Sequence, residues 1–389
     1  MPASALADPP PRATARRLAR VAVLGSLDEA RAAWADLLAV APASAYQTPG
    51  WLDAWLGTVG RAERPVLVAG FDDQGPVALL PLRRTPLGGL MVARFLGGRD
   101  ANFGLGLFHP GVAWDLPILR GFLGEAARLG GIDLFWLGNQ PDALGGRANP
   151  LAALPRVPSP SLQHEVPLDP DPDAFLARTL SARARKHIRQ KETKLAALAP
   201  VRHTRATDPA TAARLAAALL AQRESRFGPS DPDGSLQAFL VAASQAAGGA
   251  RPAVELHALT CGDAIVAVFA GAGHAGRFSG MMVSFAAEDP WARFSPGELL
   301  LARVMAEKCR EGFEMFDLGI GEARYKSSFC PVAVPLFDTV LGITASGRVA
   351  AAALRAGLAA KRGVKQSPRL WAAVRRLRAL RRGSGRFPA

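Results

Sequence analysis

The order of apolar and polar segments predicts the same succession of elements in both halves of the 389-residue chain. In the first half, an amphipathic segment that begins near Ser26 predicts a helix. Two apolar runs around Asp-Asp-Gln-Gly, within residues 65–84, are typical of a β-hairpin, and residues 90–97 predict a further strand. Residues 110–139 then predict a helix, a Gly-Gly stop and a strand.

The second half repeats this order. Residues 254–273 predict a hairpin, residues 276–285 a strand, and residues 295–320 a helix, a glycine and a strand. The segments GGIDLFWLGN and EGFEMFDLGI, which end the two halves, match in pattern. We interpret the match as an internal duplication. Because the identities are few, a shared α/β architecture without duplication is the alternative.

These patterns predict an α/β (α+β) protein with four regions. They are a disordered leader (1–20), an N-terminal domain (21–160), a C-terminal domain (161–345) and a basic tail (346–389). A proline-rich stretch at residues 149–162 predicts the linker between the two domains.

The positive charge of the chain is concentrated near its C-terminus. The net charge is +14, but residues 339–389 alone contain 12 Lys and Arg and no Asp or Glu. The body is therefore nearly neutral, and no specific nucleic acid is expected as a partner. Residues 367–382 predict a basic amphipathic helix, which would lie on an anionic membrane surface or dock on the protein body. Its arginine pairs are a weaker hint of an anionic nucleotide.

Composition gives little sign of metal or disulfide chemistry. The three cysteines are widely spaced and the six histidines form no ligand pair, so we expect no metal and a reducing compartment. The N-terminus lacks the apolar core of a secretory signal, and no stretch offers about 20 uninterrupted apolar residues. We expect a cytoplasmic protein, with a peripheral place at the inner face of the membrane as the alternative.

The segment ARFSPGE predicts an anion site at a helix start. Ser295 is expected to cap the helix, Pro296 suits its first position, and Glu298 would complete a capping box. Free N–H groups there favour a pyrophosphate that approaches over Gly297. The alternative is an ordinary well-capped helix.

A second candidate site follows the last strand of the repeat. That strand stops at Asp317, a glycine pair breaks the chain, and Glu322, Tyr325 and Lys326 come next. Ligands bind outside the carboxyl ends of strands in open α/β sheets, so these side chains are candidate catalytic groups. The alternative is that Tyr325 packs at the sheet edge and Lys326 is solvated.

Basic residues indicate where an acceptor could bind. Residues 181–198 predict a helix with six Lys and Arg, including Arg185 and Arg189, and a single acid. Such a helix beside a cleft would hold a phosphorylated acceptor, or it is an ordinary solvated face. Residues 222–234, with Arg223, predict a mobile acceptor loop between two helices.

The order hairpin, strand, anion-binding loop, helix, strand and tyrosine resembles the acetyl-CoA-binding core of the GNAT superfamily. The segments S-x-R-x-R-K-x-I-R (181–189), SPGELLL (295–301) and FDLGIGEARYK (316–326) resemble the CelD-like branch of cellulose and exopolysaccharide biosynthesis. That branch is related to the FemAB aminoacyltransferases. The resemblance covers about residues 30–345. It implies tandem GNAT-like folds with mixed sheets flanked by helices, acetyl-CoA or acyl-CoA as cosubstrate, and no permanently bound cofactor.

Acyl transfer from a thioester to an amine gives each candidate a role. Tyr325 would protonate the departing thiolate, since a phenol has a pKa of about 10 and a thiol about 8.5. Glu322 would accept the amine proton, and Lys326 would stabilise the oxyanion or hold a phosphate. The predicted acyl-CoA contacts are Met282, Ser295, Pro296 and Gly297, and the predicted substrate contacts are Arg185, Arg189, Arg223 and Asp317.

The sequence thus predicts an acyl-CoA-dependent N-acyltransferase. The expected acceptor is an amino sugar of an envelope polysaccharide or of its precursor. The alternatives are a long-chain, sphingoid-type amine, FemAB-like aminoacyl transfer from tRNA, and a non-catalytic GNAT fold that serves as a ligand sensor or scaffold.

Overall fold

The computed structural model describes residues 16–229, 231–246, 251–321 and 323–367. The helices are α1 (Leu27–Leu38), α2 (Pro49–Leu56), α3 (Leu116–Gly130), α4 (Pro172–Thr179), α5 (Ala182–Ala196), α6 (Pro209–Phe227), α7 (Ser235–Gln245), α8 (Pro296–Arg310), α9 (Arg324–Phe329) and α10 (Ala345–Gln366).

The strands of the first half are β1 (Arg20–Leu24), β2 (Arg64–Asp72), β3 (Gly75–Leu87), β4 (Leu90–Phe95), β5 (Leu107–Phe108), β6 (Leu134–Pro141), β7 (Ala143–Leu144), β8 (Arg147–Ala148) and β9 (Arg156–Pro158). The later strands are β10 (Gln163–Pro167), β11 (Val201–Arg205), β12 (Glu255–Cys261), β13 (Ala264–His274), β14 (Arg277–Phe285), β15 (Met315–Ile320), β16 (Val332–Val334) and β17 (Leu336–Gly342).

Two mixed sheets share one strand pattern. The order is β1-β2-β3-β4-β6-β17-β9 in the first and β11-β12-β13-β14-β15-β10-β16 in the second, while β5 pairs with β3. In each sheet, four antiparallel strands are followed by one parallel pair, β4 with β6 and β14 with β15. The predicted mixed sheets, and the order of elements that repeats between the halves, are confirmed.

The sixth strand of each sheet comes from a distant part of the chain. The strand β17 follows the second sheet in sequence but lies between β6 and β9 of the first. Conversely, β10 precedes most of the second sheet and lies between β15 and β16. The strand β17 therefore belongs to the predicted C-terminal domain (161–345) in sequence but to the first sheet in space, because an apolar strand pattern does not encode which distant strand it will join.

Residues 346–366 are not a free tail. The helix α10 packs on β17 and β9, with Ala351 and Leu358 buried, and Arg355 donates to the Val340 carbonyl at 2.9 Å. This differs from the predicted tail from residue 346. The predicted amphipathic segment beyond Ser367 lies outside the described residues.

Two other segments predicted to be irregular are folded. Of the predicted leader, residues 1–15 lie outside the described residues, but Arg16 forms an ion pair with Asp72, and its N–H donates to Gly111 O at 3.2 Å. The predicted linker contains β9 and a 3₁₀ helix, and its Leu151 and Leu154 are buried. The proline content suggested a linker, but prolines restrict only the local backbone and do not indicate whether a segment packs against the rest of the protein.

Local chemistry explains where the helices begin. Ser26 caps α1 by accepting from Glu29 N at 3.3 Å, and Asp115 caps α3 by accepting from Ile118 N at 2.9 Å. The helix α3 ends at Gly131, which has a φ of 60°, a left-handed conformation that glycine adopts without strain. Among the described residues, no helix has the length and apolarity required to cross a membrane.

One hydrophobic core joins the two halves. It includes buried residues of α1 and α2 from the first half and of α6, α7, β12 and β13 from the second. At its centre the rings of Trp51 and Phe239 meet edge to face, with centroids 5.1 Å apart. The first half therefore packs directly against the sheet that carries the predicted site.

Candidate functional site

A cavity opens where the parallel strands β14 and β15 stop pairing. Their ladder covers Arg277–Ser279 and Met315–Asp317. A register shift against β13 makes Met281 an extra residue in β14, and such a bulge bends the strand. Beyond the ladder lies a cavity of about 480 Å³, which we call the β14–β15 cavity.

The cavity collects most of the predicted catalytic and donor residues. It is lined by Arg223, Met282, Ser295, Gly297, Tyr325 and Lys326. The predicted residues Pro296, Arg185, Arg189 and Asp317 are not in its lining, and Glu322 lies outside the described residues. The remaining walls are largely apolar, with Phe269, Val283, Phe285 and Leu318.

Tyr325 offers a proton donor to the cavity. It lies on α9, and burial raises the pKa of its phenol above the ordinary value, while the nearby charges of Arg223 and Arg226 act in the opposite direction. The hydroxyl is therefore protonated at neutral pH, which is the state that a general acid needs.

Lys326 brings a titratable cation to the same wall. Burial lowers the pKa of its ammonium to about 8, while the Asp317 charge partly opposes the shift. Its Nζ donates to the Ile320 carbonyl at 2.9 Å. The side chain is therefore mostly charged at neutral pH and loses its charge just above it.

Asp317 does not reach a substrate. Its side chain is fully buried and accepts from Ser279 Oγ at 2.6 Å, from Arg277 at 3.3 Å and from Gly319 N at 3.0 Å. Its partners Arg277 and Ser279 both lie on β14, and Ser279 is directly opposite it in the ladder. It ties the last paired residues of β14 and β15 together, so the predicted substrate contact is corrected to a structural role.

The start of α8 differs from the predicted capping box. Ser295 has a φ of 50° and caps no N–H, because its Oγ accepts from Lys191 Nζ at 2.7 Å. The Glu298 N–H is bonded to the Ser295 carbonyl at 2.9 Å. Pro296 has no N–H, so in this turn Gly297 N–H is the amide without a partner among the described residues.

The predicted acceptor residues are divided between two elements. Arg185 donates to the carbonyls of Ala177 and Leu180, at 2.9 and 2.7 Å, and so fixes the junction of α4 and α5. Arg189 lies on α5 outside the cavity lining. Arg223 lies on α6, which continues to residue 227, so the predicted mobile loop is shorter than expected.

The first half contributes two residues that sequence reasoning missed. Asn102 Nδ2 donates to the Gly280 carbonyl at 2.8 Å and to the Tyr46 hydroxyl at 2.6 Å. Gly280 lines the cavity at the point where β14 and β15 stop pairing. A Cβ at Gly319 would collide with the Asn102 side chain, which explains the first glycine of the pair. No sequence pattern marks Asn102, whereas Tyr46 is one of only two tyrosines in the chain.

A hydrogen-bonded histidine pair lies elsewhere in the second sheet. His203 Nε2 and His257 Nδ1 are 3.1 Å apart, and His257 Nε2 lies 3.1 Å from Glu255. Glu307 completes a group that could hold a metal. The contacts already use both ring nitrogens of His257, and burial lowers the pKa of His203 to about 4. No spacing in the sequence revealed this cluster.

Comparisons with known proteins bear on this fold and site. Residues 182–327, which span α5 to α9, match the family model described as an acetyltransferase (GNAT) domain. No curated protein matches the chain in sequence.

Several solved structures share the fold across both halves. FemX superposes with a TM-score of 0.53 at 10% identity, covering 82% of this chain and 97% of that one. The C-terminal domain of a putative lysylphosphatidylglycerol synthetase from Agrobacterium fabrum gives 0.50 at 16% identity, covering 85% and 95%. A protein of unknown function from Bacteroides thetaiotaomicron gives 0.50 at 14% identity, covering 79% and 96%. The prediction of a GNAT-type N-acyltransferase is thus confirmed for residues 182–327, the segment that matches the acetyltransferase (GNAT) domain, and the superposed structures share the fold across both halves.

Proposed function

We propose that the protein transfers an acyl group from acyl-CoA to an amine in the β14–β15 cavity. The observation that carries the proposal is the meeting of a phenol, an ammonium and a helix start around one largely apolar cavity. Tyr325 and Lys326 line it together with Gly297. These are the groups that acyl transfer from a thioester requires.

The reaction needs one proton to leave the amine and one to reach the sulfur. The amine nitrogen attacks the thioester carbonyl carbon, and the C–S bond then breaks. Tyr325 gives its proton to the departing thiolate, and the ammonium of Lys326 stabilises the oxyanion. Glu322 remains the predicted acceptor of the amine proton, although it lies outside the described residues.

The cavity suits a long thioester with an anionic end. The apolar walls of β14 would contact the acyl and pantetheine portions, and Gly297 N–H with Arg226 would face the pyrophosphate. Arg226 stacks on the Phe285 ring at 4.0 Å, which holds its guanidinium beside the cavity. Lys191, beside the start of α8, donates to Ser295 Oγ at 2.7 Å and pairs with Glu298 at 3.6 Å.

The acceptor in this proposal is an amino sugar of an envelope polysaccharide or its precursor. The support is the resemblance to the CelD-like branch in the segments at 181–189, 295–301 and 316–326. A place in that branch, in the cytoplasm or peripherally at the inner membrane face, is part of the same proposal.

A second candidate is aminoacyl transfer from tRNA. The start of α8 favours it, because Gly297 offers a single N–H without a described partner there and the Lys191 ammonium is already paired with Glu298. A donor that places no pyrophosphate at the start of α8 does not need further anion-binding groups there.

A thiol-release assay separates these candidates. Purified full-length protein is given a panel of acyl-CoAs with amino sugars or long-chain amines, and in parallel an aminoacyl-tRNA with the same acceptors. Release of CoA thiol that depends on the amine supports the proposal. Product formation from aminoacyl-tRNA alone would contradict it and establish the second candidate.

A further inference from the structure

A second cavity occupies the equivalent position in the first half. The ladder between β4 and β6 covers Val92–Ala93 and Leu134–Phe135. Beyond it lies a cavity of about 630 Å³, lined by Arg94 of β4 and by Trp136 and Asn139 of β6. It therefore repeats the position of the β14–β15 cavity within the repeated sheet pattern. We call it the basic cavity.

Cations predominate in its lining. They come from three separate parts of the first half and α10, and they are Arg83, Arg94, Arg99, Lys361 and Lys365. The acids in the lining are Glu63, Asp100 and Asp338. The lining thus has a formal excess of positive charge.

Each acid of the lining already has a partner. Glu63 pairs with Arg83. Asp100 accepts from Trp55 Nε1 at 3.0 Å, and burial raises its pKa, while the Trp55 bond and the charge of Arg99 oppose the shift. Asp338 accepts from Trp136 Nε1 at 3.2 Å, from Asn139 N at 2.9 Å and from Ser159.

Three cations of the lining form no ion pair with any described residue. Within the described part of the chain, Arg94, Arg99 and Lys361 form no ion pair. Arg94 stacks on the Trp136 ring at 4.0 Å, and its buried Nε has no hydrogen-bond partner. A buried donor without a partner is costly unless a ligand supplies the acceptor. Oxygens of a phosphate or diphosphate are the acceptors that arginine forks match best.

The basic cavity adjoins the catalytic wall of the other cavity. Ile320, at the end of β15, lines the basic cavity. Its carbonyl accepts from Lys326 Nζ at 2.9 Å, and Lys326 lines the β14–β15 cavity. The two cavities are thus linked through one residue.

We infer that the basic cavity binds a diphosphate carried by the acceptor, whose amine then reaches the thioester past Ile320. This inference rests on the proposed function. It narrows the acceptor to a diphosphate-linked amine, either a nucleoside diphosphate sugar or a lipid-linked one. Arg94 and Arg99 contact the diphosphate, and Lys361 adds charge from α10.

Calorimetric titration of inorganic pyrophosphate into the full-length protein tests the site. Three variants are compared with the wild type. The first combines Arg94→Gln with Arg99→Gln, and the second is Lys361→Gln, at an exposed lysine. The third, Arg120→Gln, is a matched control on the exposed side of α3. All are measured with Gly297→Glu in the background, which blocks the start of α8. We expect a loss of affinity of about tenfold or more in the double variant, a smaller loss for Lys361→Gln, and none for Arg120→Gln.

Two results would overturn the inference: equal affinity in all variants, or loss of all pyrophosphate binding from Gly297→Glu alone. The thiol-release assay distinguishes failure of this inference from failure of the proposed acyltransferase function. If the wild type releases no thiol but binding depends on Arg94 and Arg99, the acyltransferase fails and the diphosphate site stands. Further titrations with UDP and with farnesyl diphosphate in detergent distinguish the nucleotide source from the lipid source.

Discussion

At the residue scale, burial sets the protonation of the two side chains proposed for catalysis. It favours the neutral form of each, so it raises the pKa of Tyr325 and lowers that of Lys326 to about 8. The phenol thus keeps its proton through the physiological range. The ammonium, in contrast, loses its charge within reach of an ordinary pH titration.

Replacement of Tyr325 by Phe should keep the fold and lower kcat for acyl transfer by about 10²- to 10⁴-fold, the usual contribution of a general acid. The ring still packs against the second-half core, so the melting temperature and the affinity for CoA should stay near wild type. Steady-state thiol release measures the effect. A Phe variant with wild-type turnover would remove the phenol from the mechanism.

The pH dependence of kcat should reflect the titration of the Lys326 ammonium. If its ammonium stabilises the oxyanion, kcat at saturating acceptor falls as pH rises through about 8, because the charge is present below that pKa and lost above it. In Lys326→Arg the fall should disappear, since a guanidinium stays charged beyond pH about 12. Lys326→Met should be slow at every pH. A wild-type rate that instead rises through pH 8, with the rise lost in Lys326→Met, would identify the neutral Lys326 amine as a base.

At the element scale, the site depends on how β14, β15 and α8 end. The bulge at Met281 and the short ladder with β15 open the cavity, and α8 begins beside it. Asn102, from the first half, holds the Gly280 carbonyl at the point where the ladder ends. The cavity is therefore shaped by contacts from both halves.

Gly297→Glu should weaken CoA binding at least tenfold. A side chain at Gly297 would contact the Phe285 ring 3.2 Å from its Cβ, and the new carboxylate would repel the pyrophosphate. Calorimetry with CoA measures the loss. Gly297→Ala is the matched control, because it adds the Cβ without the charge. Unchanged affinity in the Glu variant would move the anion site elsewhere.

Asn102→Ala should raise the KM for acyl-CoA and lower the free energy of unfolding by about 1–3 kcal/mol, because it leaves buried polar groups unpaired. Denaturant unfolding and thiol-release kinetics measure the two effects. Tyr46→Phe is the control: it removes the bond to Asn102 but leaves the bond from Asn102 to Gly280 O. An equal change in KM in both variants would contradict a positioning role for Asn102.

Local pattern was enough to predict most elements but not their partners. The hairpins, α8 and β15 follow from periodicity and turn residues, and so does the position of Tyr325 and Lys326 after a strand. The residues next to Ser295 in sequence predict a helix cap. They do not reveal that Lys191, 104 positions away, donates to its hydroxyl. Asn102 escaped prediction for the same reason, since its partner Gly280 is 178 positions distant.

At the scale of the whole molecule, the shared core makes the first half a structural support for the second. Trp51 and Phe239 meet in this core, and Asn102 of the first half bonds to Gly280, which lines the cavity. The C-terminal helix α10 belongs to this body, because Arg362 donates to Ser159 O at 2.8 Å and Lys365 to Ser161 Oγ at 2.7 Å.

Deletion of residues 368–389 should therefore spare the fold and the activity on a soluble amine. The full-length protein should bind anionic liposomes at low salt and release them as salt rises, because the Debye length falls to about 10 Å at 0.1 M. The truncated form should stay in solution in a sedimentation assay, and neutral liposomes serve as the control. Equal binding of both forms to anionic liposomes would contradict the membrane prediction for the tail.

The place of β17 in the first sheet also determines when that sheet can be completed during synthesis on the ribosome. Once β6 has emerged, residues 142–335 must be translated before β17 can pair with it. At ordinary elongation rates that interval is roughly 10 to 40 seconds. Throughout it, the nascent first sheet carries an unpaired edge at β6, the kind of edge that recruits other strands. The edge of β6 is therefore open to pairing with other strands until β17 has been made.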